Sequence, residues 1–283
     1  MHKAGKKGRC AMEEKLYLAS RSGIAMGSLQ GELLQRADLE GALALCAGEE
    51  SLFCADRGGM IWRFDRRTLM PASLGCGGPG ACAMCLSPCG RRLYALLGEG
   101  DSVLMSDGKS CRPLALNRCG SNPKSIICCG DRLVAAGGES CRVHIYCAKT
   151  LDSIDEVAMP GPVYSAALCD GVVYALCLFQ DMHALLVAAQ GEKRTMLRLH
   201  GMPGCLRVTN KCVLAATYGW LHVLSREGLR RIAVRDAPGK AGRILVGRNE
   251  IFLHDPISES VFAAQAAAPW RRLAGGVCDM CIA

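Results

Sequence analysis

One short pattern comes round seven times in this chain of 283 residues. It is a tight turn, an apolar triplet, a second break and another apolar run. Its clearest copy spans residues 87–107, where Ser87-Pro88-Cys89-Gly90 turns into the run Leu93 to Leu97. A break follows at 98–101, and a further apolar run begins at Val103. Aligned on the triplet, the copies start at Leu16, Leu52, Leu93, Leu133, Val173, Val213 and Ile251, at spacings of 36, 41, 40, 40, 40 and 38 residues. A period near 40 made of short runs with Gly and Pro between them predicts a β-propeller with four strands per blade. Helical solenoids share the period but not the texture: these windows are β-branched or alternating, short, and punctuated by Gly and Pro.

Each copy parses in one way. In the template, strand b is 93–97, strand c 102–106 and strand d 113–116. A link with Gly120 and Pro123 then leads to strand a of the next blade, 125–129. The link recurs at Gly75 to Pro79, Pro160-Gly161-Pro162, Gly201-Met202-Pro203 and Pro238-Gly239. Proline has no N–H to donate, so it belongs just outside a strand. The chain enters on a b strand and ends on residues 277–282, which match the a strands. One blade is therefore expected to take three strands from the front and one from the back, closing the ring and removing open sheet edges. The expected fold is all-β: a single seven-bladed β-propeller domain over 12–283, closed by the C-terminal strand and preceded by a disordered basic tail, 1–11.

The segment Ser87-Pro88-Cys89-Gly90-Arg91-Arg92-Leu93-Tyr94-Ala95 resembles the SPDG-x-x-LYVA core of YVTN-repeat propellers, with Cys89 in place of the usual Asp. Gly120 to Pro123 is similar to that family's blade connection. Phe64-Asp65-Arg66-Arg67-Thr68-Leu69 is similar to the end of strand c in YVTN and WD repeats, and residues 146–151 echo it with Cys147 for Asp. The resemblance implies the propeller fold. The family includes scaffolds, binding proteins and a few enzymes, so it implies no one activity.

Composition narrows the classes. No apolar run reaches the roughly 18 residues of a spanning helix, and residues 157–190 are cut by Pro160, Pro162, Asp170, Gly171 and Asp181. No membrane association is expected. The start is basic but lacks the apolar core of a secretory signal, and Met12 is an alternative first residue. Lys3, Lys6, Lys7 and Arg9 carry half of the net charge of +8. The rest is too dispersed for the basic stripe that nucleic acid requires. Nineteen cysteines is an odd count in a long chain. Disulfide scaffolds are short and even-numbered, so reduced thiols and a cytoplasmic location are expected.

Cys82-x-x-Cys85 and Cys278-x-x-Cys281 have metal half-site spacing. Both fall in a strands, where residues three apart point to opposite faces. Cys129 and Cys169 share one column, with Cys46 and Cys281 near it, which reads as a packing niche for a small hydrophobe. Cys76 and Cys89, in loops, are the expected reactive thiols. His144, His183 and His222 recur in strand c of successive blades and read as a half-exposed column too widely spaced to share a metal. There is no nucleophile elbow, phosphate loop or His-Glu-x-x-His. No catalytic residue, metal or cofactor is expected.

If strand a runs down and b up, the b–c loops and d–a links share one rim. It collects Asp56, Arg57, Glu99, Asp101, Lys124, Glu139, Tyr164, Asp181, Tyr218, Trp220, His254 and Asp255. The opposite rim holds mostly short turns. Rich loops on a rigid scaffold are where binding residues gather. The expected function is a non-catalytic scaffold, monomeric, presenting this rim to a protein or peptide partner, with a small molecule as a further option. Two alternatives stand beside it. One is a lactonase- or lyase-like propeller enzyme, with His254, Asp255, Asp56, Glu99 and Asp101 around a cation. The other is a thiol-based redox or metal sensor.

Overall fold

The computed structural model describes residues 14–76, 81–97, 102–106, 111–115, 123–265 and 268–283. These residues form seven antiparallel sheets. The innermost strands, in blade order, are Val277–Ile282, Ala42–Ala47, Ala81–Leu86, Ser125–Cys129, Val163–Cys169, Pro203–Val208 and Arg243–Val246. Each touches the next, and the last returns to the first, so the sheets stand in a ring. Blades 1 to 7 are numbered in that order, and the a, b and c strands of the template copy fall on Ser125–Cys129, Leu93–Leu97 and Ser102–Ser106 as expected. The d strand is Cys111–Ala115, two residues earlier than the pattern indicated. Pro113 lies inside it, which an outermost strand tolerates because only one side of it is paired.

Blade 1 is assembled from both termini: Val277–Ile282 pairs with Leu16–Ser20, followed by Gly23–Gly27 and Leu33–Asp38. Blade 6 departs from the rest. Its strand Cys212–Ser225 turns at Gly219 (φ 80°) without a break; the first half pairs with Pro203–Val208 and the second with Arg231–Lys240. Pro238 and Gly239, expected as a link, are thus inside an outer strand. They occupy the register shift between the pairs Trp220↔Asp236 and Tyr218↔Lys240, where no ladder bond is required of proline.

Size matching packs blade against blade. The fifth position of strand a faces the second residue of the apolar triplet in the pairs Cys281↔Tyr17, Cys46↔Phe53, Cys85↔Tyr94 and Ala167↔Tyr174. A small side chain sits across from a large ring in each. Tyr17, Tyr94 and Tyr174, in alternate blades, are buried. Each donates its hydroxyl to a carbonyl in the c–d turn of the next blade: Arg66 O at 3.2 Å, Ala148 O, and Arg226 O at 3.4 Å. The rings thereby fill apolar space and pair a buried acceptor that has lost water.

Near the axis a second set of bonds joins the inner strands. Ser125 Oγ accepts from Ala166 N at 3.3 Å, and Ser165 Oγ accepts from Leu206 N at 3.2 Å. At the same position in blade 1, Asp279 Oδ2 accepts from Leu45 N of blade 2 at 2.7 Å, across 234 residues of sequence. The same oxygen takes the Arg243 guanidinium of blade 7, which also donates to Leu45 O at 3.2 Å. Burial works against the Arg243 charge, but the Asp279 carboxylate overrides it and holds the guanidinium pKa above its ordinary value.

Breaking a buried pair by removing one partner costs about 3–5 kcal/mol, because the other charge is left uncompensated. Asp279→Ala is expected to lose that much in urea denaturation, whereas Tyr174→Phe should lose only about 1 kcal/mol, the worth of one hydrogen bond. An Asp279→Ala protein as stable as Tyr174→Phe would contradict the role given to the carboxylate.

Candidate functional site

Backbone bonds place the b–c turns beside the d–a links. Arg57 N donates to Gly41 O at 2.9 Å, Leu178 N to Pro162 O at 2.8 Å, and Tyr218 N to Met202 O at 2.9 Å. The anticipated residues divide into three groups on this rim. Asp56, His254 and Asp255 are buried; the two carboxylates are tied into their own turns and His254 faces the inner strand of blade 1. Asp56 accepts from Met60 N at 2.9 Å and Trp62 Nε1 at 2.7 Å. Asp255 accepts from Ile257 N at 3.0 Å and Ser258 Oγ at 2.7 Å, while His254 Nε2 lies 2.8 Å from Val277 O. Arg57, Lys124, Glu139 and Asp181 are exposed and dispersed, with Asp181 in a single 3-10 turn, Gln180–Met182, 3.9 Å from Arg198. Glu99 and Asp101 lie outside the described residues.

The third group converges. Tyr218 is 54% and Trp220 37% exposed on the extended strand pair of blade 6. Tyr218 is in register with Lys240, whose ammonium sits 5.9 Å from the centre of the Tyr164 ring. Tyr164 reaches that place because a bulge between Val163 and Ser165 leaves it outside the ladder, and bulges re-aim side chains. The Trp220 ring lies 6.2 Å from that of His200. Further along, Trp270 Nε1 donates to Asp236 O at 2.6 Å, and the Arg235 guanidinium stacks 4.8 Å over the Trp270 ring. Lys240, His200 and Trp270 escaped the sequence reading. For Lys240 the reason is the Pro238-Gly239 pair, which read as a link where the structure has an outer strand.

Two cavities stand out among the described residues. One of about 260 Å³, largely apolar, lies between blades 7 and 1 beside Leu16, Ile24 and Leu273. The other, about 690 Å³, opens between blades 5 and 6 on the opposite rim, among Lys193, Lys211, Arg226 and Arg230. There Arg226 pairs with Asp170 at 2.5 Å, and its Nε has no partner. That rim is chemically richer than its short turns suggested.

The histidine column is a correction. His144 and His222 are buried, and His183 is outside strand c, in the turn before Ala184–Gln190. The inner face of strand c packs on the neighbouring blade, so its side chains are enclosed. His144 Nδ1 lies 3.6 Å from Glu156 Oε2. His222 Nε2 is 3.4 Å from Thr217 Oγ1, and its Nδ1 has no partner. Burial, with the Arg231 charge adding to it, pushes the His222 pKa down to about 4. Among the described residues no three His, Cys, Asp or Glu side chains gather as a metal site would need. Burial drives the inner thiols up, Cys46 and Cys128 to about 11 and Cys177 to about 12. Cys89 is exposed and shifted down, first by the Ser87 hydroxyl 3.4 Å away and then by backbone N–H groups. Cys76, expected in a loop, instead ends the outer strand Pro71–Cys76, in register with Met60, and its side chain lies outside the described residues.

No protein-family model matches the chain, and neither does any curated protein. Among solved structures it is similar to a functionally unknown protein from Desulfotomaculum acetoxidans DSM 771, with a TM-score of 0.75 at 10% identity over 95% of this chain and 98% of that one. A likeness at that identity speaks for the fold alone.

Two outcomes follow for these buried and exposed groups. The unfolded chain takes up a proton on His222 near pH 6.5, while the folded chain resists until about 4. Stability should therefore be full above 6.5 and fall as pH drops toward 4. His222→Gln should flatten that slope in denaturation series; an unchanged slope would refute the assignment. Brief alkylation of native protein, mapped by mass spectrometry, should label Cys89 well before Cys46 and Cys177, since only the thiolate attacks. Equal rates would contradict the order.

Proposed function

We propose that this propeller is a non-catalytic binding scaffold whose working surface is the rim of b–c turns and d–a links, centred on blade 6. The observation that carries the reading is the exposed pair Tyr218 and Trp220, ringed by Tyr164, Lys240 and His200. Exposed aromatics held rigidly by backbone pairing supply contact area without further ordering, and Tyr and Trp lead the residues that dominate interfaces. Arg57, Lys124, Glu139 and Asp181 add exposed charges of both signs elsewhere on the same rim.

The partner is a protein or peptide that lays an apolar or aromatic side chain against Trp220. The ring acts as a monomer in the cytoplasm, and its repeats are of the YVTN type. Asp56, His254 and Asp255 support the rim instead of touching the partner, because their polar atoms are already engaged.

Selection from a displayed peptide library tests this directly. Wild-type protein is expected to enrich a family of peptides. Trp220→Ala, with its fold checked by circular dichroism, should bind the best of them about 30-fold more weakly, the effect of losing a hot-spot side chain. No enrichment, or equal affinity for Trp220→Ala, would overturn the proposal.

A further inference from the structure

The c–d turn of blade 6, residues 225–230, is one of three built alike. In blades 2, 4 and 6 a leucine of this turn takes a left-handed backbone and is buried: Leu69 (φ 48°), Leu151 (φ 63°) and Leu229 (φ 50°). The residue three before it offers its carbonyl to a tyrosine hydroxyl of the preceding blade, as Arg66, Ala148 and Arg226 do. This shared geometry lets the flanking side chains be compared place by place. Just after the leucine stand Met70, Asp152 and Arg230. In the a–b turn, two residues before the apolar triplet, stand Glu50, Asp131 and Lys211. Blade 6 alone of the three has a cation at both places.

Those two cations line the cavity of about 690 Å³ between blades 5 and 6. Its other wall is one face of blade 5, where the pairs Tyr174↔Ala188, Ala188↔Thr195 and Gln190↔Lys193 set their side chains in rows. Leu229, sunk into the core with Tyr174 and Leu186, pins the turn against that blade. Arg226 braces it, donating to Asn210 O at 3.2 Å and pairing with Asp170 of blade 5. Between blades 1 and 2 the corresponding gap is bridged, because Gln35 donates to Thr68 O of the turn. Gln35 follows Tyr17 and Met26 across blade 1 as Thr195 follows Tyr174 and Ala188 across blade 5. Threonine is the shorter side chain, and in blade 5 the gap stays open.

Lys193, Lys211 and Arg230 line this cavity, and among the described residues none of them forms an ion pair. Asp170 is taken by Arg226, so Glu227 is the one lining carboxylate left to face them. Three cations against one anion leave a surplus of two positive charges. Single exposed cations are ordinary, but cations of one sign gathered on the walls of a cleft focus their field into it. The volume falls in the range of small-molecule sites, roughly 300–1,000 Å³. Gln190, Thr195 and Asn210 add uncharged donors and acceptors to the lining.

We propose that this groove binds a small phosphate monoester with a hydroxylated body, a sugar phosphate or a nucleoside monophosphate. Such a phosphate carries about two negative charges near pH 7, which is the charge the lining leaves unbalanced. Lys193, Lys211 and Arg230 take the phosphate oxygens, Arg230 through its planar fork. Gln190, Thr195 and Asn210 pair with hydroxyls of the body. The groove is on the rim opposite Tyr218 and Trp220, so it stands or falls independently of the peptide-binding surface.

Isothermal titration calorimetry of the full chain at fixed ionic strength tests the site, with glucose 6-phosphate, AMP and inorganic phosphate as probes. Saturable one-site binding of at least one ester is expected, and the tighter of the two distinguishes a sugar phosphate from a nucleotide. Inorganic phosphate should bind more weakly, since it lacks the body. Lys211→Glu combined with Arg230→Met brings in the residue types that blade 2 carries at these places, Glu50 and Met70, so the turn should keep its fold. This double variant should bind the ester about 100-fold more weakly, roughly tenfold for each charge-assisted hydrogen bond lost. Lys149→Gln removes an exposed charge from the c–d turn of blade 4, on the same rim, and should leave binding unchanged. No saturable binding of either ester, binding that survives in the double variant, or an equal loss in Lys149→Gln would overturn the proposal. Inorganic phosphate bound as tightly as the esters would do so too.

Discussion

Where no covalent bond closes the ring, a strand ladder and one buried carboxylate do. Blade 1 has its inner strand from the C-terminus and its other three from the N-terminus, so only non-covalent contacts cross the seam inside it. Asp279 lies on that inner strand and binds forward to Leu45 N of blade 2 and backward to Arg243 of blade 7. Asp279 thus lets the last strand dock with both neighbours at once. A ring that failed to close would expose the unpaired edge of Leu16–Ser20, an invitation to aggregation.

The remaining junctions rely on neutral devices that repeat. Serine in the column of Asp279 caps the next inner strand in two places. Tyrosine at the second position of the apolar triplet reaches the next blade in three places. Cysteine explains itself in this frame. Cys46, Cys85 and Cys281 lie opposite Phe53, Tyr94 and Tyr17, small side chains across from large rings. Their thiols are raised in pKa by burial and sit in the core as small hydrophobes. Rigidity of this kind lets blade 6 carry exposed aromatics on an extended strand pair.

The architecture was legible because a repeat of about forty residues writes each element several times, and errors in one copy are corrected by the others. The seam was legible too, since residues 277–282 match the inner strands of six other copies. What escaped was whatever depends on partners distant in sequence. Arg243 and Asp279 are ordinary charges until the ring brings them together. His144 and His222 looked half-exposed because strand c has one outer and one inner face, and the alternation alone does not say which is which. Asp56 and Asp255 looked available because they end their strands, yet turn N–H groups and side chains claim both carboxylates. At the rim, Tyr164, Tyr218 and Trp220 were visible as residue types. Lys240 was not, because the extended outer strand of blade 6 carries it there, and neither was His200, which the fold alone brings beside Trp220.

Native-state hydrogen exchange at the seam measures the closure most directly. Amides of Leu16–Ser20 and Val277–Ile282, together with Leu45 N, should exchange only through global unfolding, as slowly as the inner pairs of blade 5. Exchange at these amides by a lower-energy local opening, with blade 5 still protected, would show that the ring is held shut by something other than the Asp279 contacts.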